Sequence, residues 1–239
     1  MMTLNNVEKD RYSRNILLNE IGEKGQLKLI NSSVLIIGAG ALGSIVAMYL
    51  AASGIGRIGI ADYDFIDISN LQRQLSFSEQ DINKAKVEAI TSKLQSINHL
   101  IKVEPFNKKI SHSDALEIFK NYDFIIEGSD NPTTKYMVDD ACRFLKKPYC
   151  FGGIAQCEGH IFTYTPNHSC YRDFFSEPSN EGSYKPCSIG GVLGPLPGII
   201  GSIQACEAIK YLTGIGELIV DKLLIVNALD MSFKTFTLK

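Results

Sequence analysis

The chain has 239 residues, enough for one α/β domain with a sizeable core, and its 45% hydrophobic content is that of an ordinary globular protein. A net charge of −2 gives no bias toward nucleic acid or an anionic membrane, so we expect neither as a partner. The polar N-terminal residues and the lack of a long apolar run predict no signal peptide and no membrane span, which favours a cytoplasmic location.

The first part of the chain alternates strand-like apolar runs with helical segments. The predicted helices lie at 8–30, with a break at Gly22, and near 43–53, 84–97, 113–120 and 132–145. The predicted strands lie at 33–37, 57–61, 101–106, 123–127 and 148–152. Repeated β-α-β units predict an α/β fold with a doubly wound, Rossmann-like, mostly parallel sheet behind N-terminal helices.

The pattern changes after residue 153. A strand at 159–165 precedes an irregular stretch that reaches residue 194 and is rich in Gly, Pro, Ser and Asn. A loop of this length in a compact domain is usually functional or disordered. A helix at 196–213 and strands near 222–227 and 232–238 follow, and they predict an antiparallel C-terminal extension of the sheet.

A glycine-rich turn follows the first predicted strand, because Gly38, Gly40 and Gly43 open the next helix. Glycine lets the backbone approach a phosphate, and the first N–H groups of a helix attract negative charge. Asp62 ends the second strand about twenty residues later, where a carboxylate can accept hydrogen bonds from ribose hydroxyls. The pattern predicts an adenosine nucleotide without separating NAD from ATP, and a tight turn with no ligand is the alternative.

Polar side chains follow Asp62 and lead to Lys86; they are Ser69, Asn70, Arg73 and Gln74. An NAD site does not require two cations such as Arg73 and Lys86 at this place. A triphosphate site does, because Arg and Lys stabilise the charge that develops on a transferring phosphorus. A solvated loop with a surface lysine is the alternative, and spacing alone does not decide between the two.

Asp130 and Asn131 follow the strand at 123–127, at the sheet edge where ligands of open α/β folds lie. The Asp130 carboxylate could hold Mg²⁺ against phosphates. Asn131 followed by Pro132 also predicts a helix cap, and the two residues can divide the two roles.

The six cysteines include no Cys-x-x-Cys pair, so we expect reduced thiols. Cys187 lies on the glycine-flanked part of the irregular stretch, where an accessible thiol can act as a nucleophile, although no base lies beside it in the sequence. Cys142, Cys150 and Cys206 lie in apolar patterns and are predicted to be core residues.

Taken in order, these motifs resemble the ThiF/MoeB family, which is related to the ubiquitin-activating enzymes. The resemblance covers nearly the whole chain and begins with an N-terminal segment that contains Arg11, Arg14 and Gly22. The other segments that carry it are 38–43, Asp62, 69–74, Lys86, 129–131, Cys187, 191–195 and 201–210.

The resemblance implies an ATP-dependent adenylyltransferase that acts on a small ubiquitin-like sulfur carrier protein ending in Gly-Gly. The carrier's carboxylate would attack the α-phosphorus of Mg-ATP, release pyrophosphate and later accept sulfur as a thiocarboxylate. The residues implied to bind the nucleotide are Gly38, Gly40, Ala41, Gly43, Asp62, Ser69, Asn70, Arg73, Gln74, Lys86, Asp130 and Asn131. The residues implied to take part in catalysis are Arg14, Arg73, Lys86, Asp130 as the Mg²⁺ ligand, and Cys187.

The family pattern also implies an assembly and a division of the chain. Arg14 matches an arginine that reaches into the neighbouring subunit's site, so we expect a homodimer. Cys187 matches a cysteine that in some members attacks the activated carrier or takes part in sulfur transfer, and a sulfur donor protein is a further possible partner. Residues 1–239 are interpreted as one adenylation domain, with a nucleotide-binding half at 1–153 and a carrier-binding half at 154–239. The thiamine carrier is favoured, followed by the molybdopterin carrier.

The sequence departs from the family at a structural zinc site that many members hold with two Cys-x-x-Cys pairs. The first pair should fall at Cys170, but Asp173 stands at its second position, and the second pair should follow the last strand, where the sequence ends. With three of four ligands missing a tetrahedral site cannot close, so we expect no zinc and a packed or residual thiol at Cys170.

Two alternatives of other classes are kept. An NAD-dependent oxidoreductase accounts for the glycine turn and Asp62 but leaves Arg73, Lys86 and Asp130 without a role. A non-catalytic binding protein of the same fold accounts for the missing zinc ligands but not for the retained charged residues.

Overall fold

A computed structural model describes residues 3–175 and 191–238 of the chain. The helices in these residues, α1 to α9, span Asn6–Arg11, Ser13–Ile16, Gly22–Ile30, Ala41–Ser53, Lys86–Ile97, His112–Ile118, Pro132–Leu145, Tyr171–Phe174 and Leu196–Thr213. The strands, β1 to β8, span Ser33–Ile37, Arg57–Asp62, Lys102–Asn107, Phe124–Glu127, Tyr149–Ala155, Glu158–Tyr164, Lys222–Asn227 and Ser232–Thr237.

Within the described residues these strands form one sheet of eight in the order β3-β2-β1-β4-β5-β6-β7-β8. The strands from β3 to β5 pair in parallel, and β5 to β8 pair antiparallel. The predicted fold class, a doubly wound mostly parallel sheet with an antiparallel C-terminal extension, is confirmed. The chain order reverses between β1 and β4, and in such sheets a crevice opens at the carboxyl ends of the strands that flank the reversal.

Both faces of the central strands are buried, which explains their continuous apolar runs. Val34 and Ile36 of β1 belong to a core with α4, α5 and α9, whereas Leu35 and Ile37 belong to a second core with α6 and α7. Gly201 lets helices α4 and α9 pack closely: a Cβ at this position would lie only 3.0 Å from the Leu42 carbonyl oxygen. The two cores fix the carboxyl ends of β1 and β4 between layers of helices.

The observed elements differ from the predicted ones mainly at their ends. The N-terminal helical region is divided a second time at Tyr12, which separates α1 from α2 and whose buried side chain accepts a hydrogen bond from Asn98. Helix α4 begins at Ala41, two residues before Gly43, and the irregular stretch contains the short helix α8. Strand β5 runs through residue 153 to Ala155, so the division of the chain at that position stays a prediction.

The prediction that Cys206 is a core residue is wrong. Cys142 and Cys150 are fully buried, as expected, but Cys206 is exposed on α9. The apolar residues around Cys206 lie on the other faces of a helix that packs against both α4 and the sheet, so a nearly uniform apolar pattern did not show that Cys206 faces solvent.

The start of the irregular stretch is held by carboxylates on two sides. On α7, Asp139 Oδ1 accepts a hydrogen bond from the Tyr171 backbone N–H (3.2 Å) and Asp140 forms a two-point ion pair with Arg172 (2.9 and 2.7 Å). Before β7, Asp221 accepts from the backbone N–H and hydroxyl of Ser169, each at 2.8 Å. The hydrogen bonds from Ser169, together with one to the imidazole of His168, lower the pKa of Asp221 to about 2.

Candidate functional site

The glycine-rich turn is shaped by two close backbone approaches. A Cβ at Gly43 would lie 1.8 Å from the Gly38 carbonyl oxygen, so no other residue fits there without moving the turn. Gly38 has φ +95° and would place a Cβ 2.9 Å from the Gly128 carbonyl oxygen. A Cβ at Gly40 would have only the Gln74 amide within 4 Å, at 3.6 Å, so space for a ligand remains above the turn.

Asp62 joins the end of β2 to this turn. Its carboxylate accepts hydrogen bonds from the backbone N–H groups of Ala39 (2.7 Å) and Asp64 (2.8 Å), one at each oxygen. Burial raises the pKa of Asp62 above its ordinary value, and the positive charge of Lys86 opposes that rise. Each carboxylate oxygen retains a lone pair, so Asp62 can still accept from a hydroxyl of a bound ligand.

Lys86 is a buried cation at the start of α5. Only 7% of its side chain is exposed, and its Nζ donates to Asp64 Oδ2 at 2.8 Å. Asp64 is half-exposed and both residues line the same cavity, so this ion pair lies at the edge of the site and not deep in the core. The alternative of a surface lysine is therefore wrong for Lys86.

The segment between β2 and α5 is organised by local hydrogen bonds. The Arg73 guanidinium donates to the Ser69 carbonyl at 2.8 Å, and Asn70 Oδ1 accepts from the Asp67 N–H at 3.3 Å, which caps a short 3₁₀ turn. Gln74 is buried, and its Oε1 has no hydrogen-bond partner among the described residues. These contacts direct Arg73 and Gln74 toward the turn, while Ser69 and Asn70 shape the backbone.

Asp130 and Asn131 lie on the turn between β4 and α7. Asn131 Oδ1 accepts from the Thr134 N–H at 2.9 Å and caps α7, with Pro132 in its first turn. Asp130 is exposed, and the neighbouring Tyr63 has a raised pKa because of burial and of the nearby carboxylates, Asp130 among them. The predicted helix cap at Asn131 is confirmed, whereas the role of Asp130 as a Mg²⁺ ligand stays a prediction.

One cavity, about 450 Å³ in volume, collects most of these residues at the carboxyl ends of the parallel strands. This volume lies in the usual range for small-molecule sites, about 300–1,000 Å³. The predicted site residues that line it are Gly38, Gly40, Ala41, Asp62, Arg73, Gln74, Lys86, Asp130 and Asn131. Gly43 shapes its floor from below, and Ser69 and Asn70 do not line it.

The other end of the cavity is aromatic and was not predicted from the sequence. Its wall is a cluster in which Phe151, Tyr171, Tyr136 and Phe175 pack with ring centroids 4.9–5.5 Å apart; we call this the aromatic end. Several cations of the cavity were also missed, namely Lys108, Lys109 and Lys135. These residues come from separate segments of the chain and follow no motif, so only their meeting in the fold identifies them.

Two predicted catalytic residues do not belong to this group. Arg14 lies on α2 with an exposed side chain and does not line the cavity. Cys187 lies outside the described residues, although Phe175 and Val192 on either side of that gap both line the cavity. Cys170 is a packed thiol, and burial raises its pKa to about 11. Among the described residues no three His, Cys, Asp or Glu side chains are grouped to hold a metal.

No helix in residues 3–175 or 191–238 combines the length and apolar character that a bilayer crossing requires. The model of the ThiF family matches residues 12–239.

Curated relatives cover nearly all of this chain. It is 39% identical over 238 residues to the sulfur carrier protein adenylyltransferase of Thermus thermophilus, with 97% of this chain and 88% of that protein covered. It is 42% identical over 237 residues to the adenylyltransferase and sulfurtransferase MOCS3 of Aedes aegypti, with 99% of this chain and 54% of that protein covered. The chain thus spans about half the length of the MOCS3 proteins it matches and 62% of the mycobacterial MoeZ protein.

Among solved structures, E. coli MccB in complex with ATP has a TM-score of 0.86 and 27% identity, and the match covers 98% of this chain and 72% of MccB. The names of these proteins give no support to the NAD-dependent alternative. The family model matches residues 12–239, and relatives of about 40% identity align along nearly the whole chain. The chain therefore belongs to the ThiF family.

Proposed function

We propose that this protein uses ATP to adenylylate the C-terminal carboxylate of a small sulfur carrier protein that ends in Gly-Gly. A carboxylate oxygen of the carrier attacks the α-phosphorus, the bond from that phosphorus to the bridging oxygen breaks, and pyrophosphate leaves with the electron pair. The observation that carries the proposal is the cavity itself, which unites Asp62, two phosphate-suited cations and Asp130 over one glycine turn. The names of the Thermus and MOCS3 relatives support the same activity.

The nucleotide end of the cavity suits ATP. Asp62 would accept from the ribose hydroxyls with the lone pairs that its backbone contacts leave unused. Lys86 and Arg73 would stabilise the negative charge that grows on the phosphates as pyrophosphate leaves. Asp130 is a suitable partner for Mg²⁺, because that ion is commonly held by one or two carboxylates together with substrate phosphates and water rather than by a full protein cage. Bound Mg²⁺ would supply further charge neutralisation at the phosphates.

The aromatic end suits the tail of the carrier. Val192 and Pro197 lie on the same cavity, and a short bridge from Gln156 to Val192 brings the chain that precedes α9 across the β5–β6 hairpin. A glycine tail is narrow and extended, and it could reach the nucleotide along this wall. We further propose that Arg14, exposed on α2, completes the site of a second subunit in a homodimer. Cys187 would act on the activated carrier, with sulfur delivered by a donor protein.

Carrier-dependent exchange of pyrophosphate into ATP tests the proposal. The purified protein is assayed with a panel of Gly-Gly carriers, the thiamine carrier first and the molybdopterin carrier second. We expect exchange with at least one carrier and loss of exchange in Asp130→Ala. No exchange with any carrier, together with tight binding of NADH, would favour the oxidoreductase. Unchanged biological activity of the Asp130→Ala variant would favour the non-catalytic protein.

A further inference from the structure

A buried ion pair lies beneath the turn that carries Asp130. Lys135 of α7 and Glu127 of β4 have side chains that are 6% and 1% exposed, and their charged atoms are 2.6 Å apart. Neither residue is used in the nucleotide or carrier contacts described above, although Lys135 lines the cavity.

The ammonium group of Lys135 has no donor left for a substrate. Its three N–H groups are matched by three protein acceptors: Glu127 Oε2 at 2.6 Å, the Ser129 carbonyl at 2.7 Å and the Gly152 carbonyl at 2.9 Å. The same Nζ lies 4.8 Å from the centroid of the Phe151 ring. Lys135 therefore acts on the site only through the groups that it holds in place.

Glu127 completes the arrangement from the other side. Its Oε1 accepts hydrogen bonds from the backbone N–H of Ser129, at 2.9 Å, and from the Ser129 hydroxyl. Both the N–H and the carbonyl of Ser129 are thus fixed by the pair, and Ser129 is the residue next to Asp130. The carbonyl of Gly152 lies on β5, directly after Phe151 of the aromatic end.

Burying two charges is costly, and well-packed apolar residues of similar volume are often at least as stable as a buried pair. Stability alone is thus a weak reason for this pair. The contacts of Lys135 and Glu127 have one geometric consequence: they join the Asp130 turn to β5, the strand that carries Phe151 of the aromatic end.

We propose that Lys135 and Glu127 are positioning residues, which set the Asp130 turn relative to Gly152 and so align the α-phosphorus with the carrier carboxylate. The inference rests on the proposed adenylylation. It predicts that the pair affects the rate of the chemical step more than the binding of ATP, because a displacement of about 1 Å can cost about 100-fold in rate without removing any ligand contact.

The test compares wild type, the double variant Glu127→Gln/Lys135→Met, Lys135→Arg, and the control Lys147→Met. Lys147 lies just beyond α7 and donates to the Tyr122 carbonyl at 2.7 Å, away from the cavity. The double variant leaves no unpaired buried charge, so we expect a Tm close to that of wild type. Its ATP dissociation constant should stay within about threefold, while kcat for carrier-dependent exchange falls by about tenfold or more. Lys135→Arg keeps the charge and donors but cannot repeat all three contacts from one nitrogen, so it should lower kcat less than the double variant does.

A double variant that folds and keeps kcat within about twofold of wild type would overturn the proposal, as would equal kcat in the double variant and Lys135→Arg at equal Tm. If the double variant does not fold, Glu127→Asp alone carries the test, because it keeps both charges of the pair and only shortens the carboxylate arm: the proposal requires it to lower kcat more than ATP affinity. Absence of exchange in the wild type with every carrier would instead contradict the proposed function, so the two failures are distinguishable.

Discussion

Replacing Asp62 by asparagine isolates the proposed ribose contact. In the structure each carboxylate oxygen accepts one backbone N–H, from Ala39 and from Asp64, and a second lone pair remains at each. In Asp62→Asn one oxygen becomes an NH₂ group that faces an N–H donor, and the charge that would strengthen a ribose hydrogen bond is lost. A hydrogen bond to a charged group contributes about 1.5–3 kcal/mol, so the dissociation constant for ATP should rise about 10- to 150-fold.

Calorimetric titration with ATP and with 2′,3′-dideoxy-ATP measures this contact directly. Wild type should bind the dideoxy compound more weakly than ATP, whereas Asp62→Asn should bind the two with similar affinity. Asp67→Asn is the matched control, because Asp67 is exposed and caps a 3₁₀ turn through the Ser69 N–H at 2.8 Å, outside the cavity. Its effect on the two titrations should be small.

The pH dependence has a definite sign. Burial raises the pKa of Asp62 above 3.8, so its carboxylate gains a proton at a higher pH than an ordinary aspartate does. The advantage of wild type over Asp62→Asn in ATP affinity should therefore be full at neutral pH and shrink as the pH falls through that raised pKa. Equal ATP affinity in wild type and Asp62→Asn at neutral pH, or equal affinity of wild type for ATP and the dideoxy compound, would refute the assignment of Asp62 to the ribose.

Further predictions concern the turn, one carboxylate and the thiols. Gly43→Ala should lower Tm and abolish ATP binding in a thermal-shift assay, because its Cβ would lie 1.8 Å from the Gly38 carbonyl oxygen. Gly198→Ala is the control: its Cβ would have no atom within 4 Å, so it should change neither Tm nor ATP binding. Asp221 has a pKa lowered to about 2 by its hydrogen bonds, so its contribution to folding stability is complete above pH 3.8 and is lost as the pH falls through about 2. Asp221→Asn should therefore be less stable than wild type in urea at pH 6, and the difference should shrink as the pH falls through that value. In peptide mapping after iodoacetamide treatment at pH 8, exposed Cys206 should be labelled before buried Cys170, whose pKa of about 11 keeps it a thiol. Labelling in the reverse order would contradict the burial of Cys170.

The local part of the site could be predicted because its residues are close in sequence. The strand, the glycine turn and Asp62 form one β-α-β unit, and the backbone approach at Gly43 is a property of that turn alone. Helix ends were less well predicted: α4 begins at Ala41 because Gly40 already serves as its N-cap, a position that side-chain periodicity does not reveal.

The remaining residues differ in how their roles were predicted, and those assigned only by resemblance stay predictions. Asn131 as a helix cap follows from its own sequence context and is seen in the structure. Arg14 is exposed and outside the cavity, so its proposed role requires a second chain, and both the role and the dimer stay predictions. The roles of Ser69 and Asn70 as direct ATP ligands also stay predictions, since in the structure they shape the loop that carries Arg73.

The sequence by itself determined the order of strands and helices, the position of the glycine turn and the presence of Asp62 at the end of β2, because periodicity and turn chemistry are local. The tertiary structure decided which distant side chains meet. It buried Lys86 beside Asp64, brought Phe151 and Phe175 to one wall, and placed Lys135 against Glu127 at 2.6 Å. Such contacts arise from sheet order and helix packing, in which residues far apart along the chain become neighbours, and no short window of sequence contains that information.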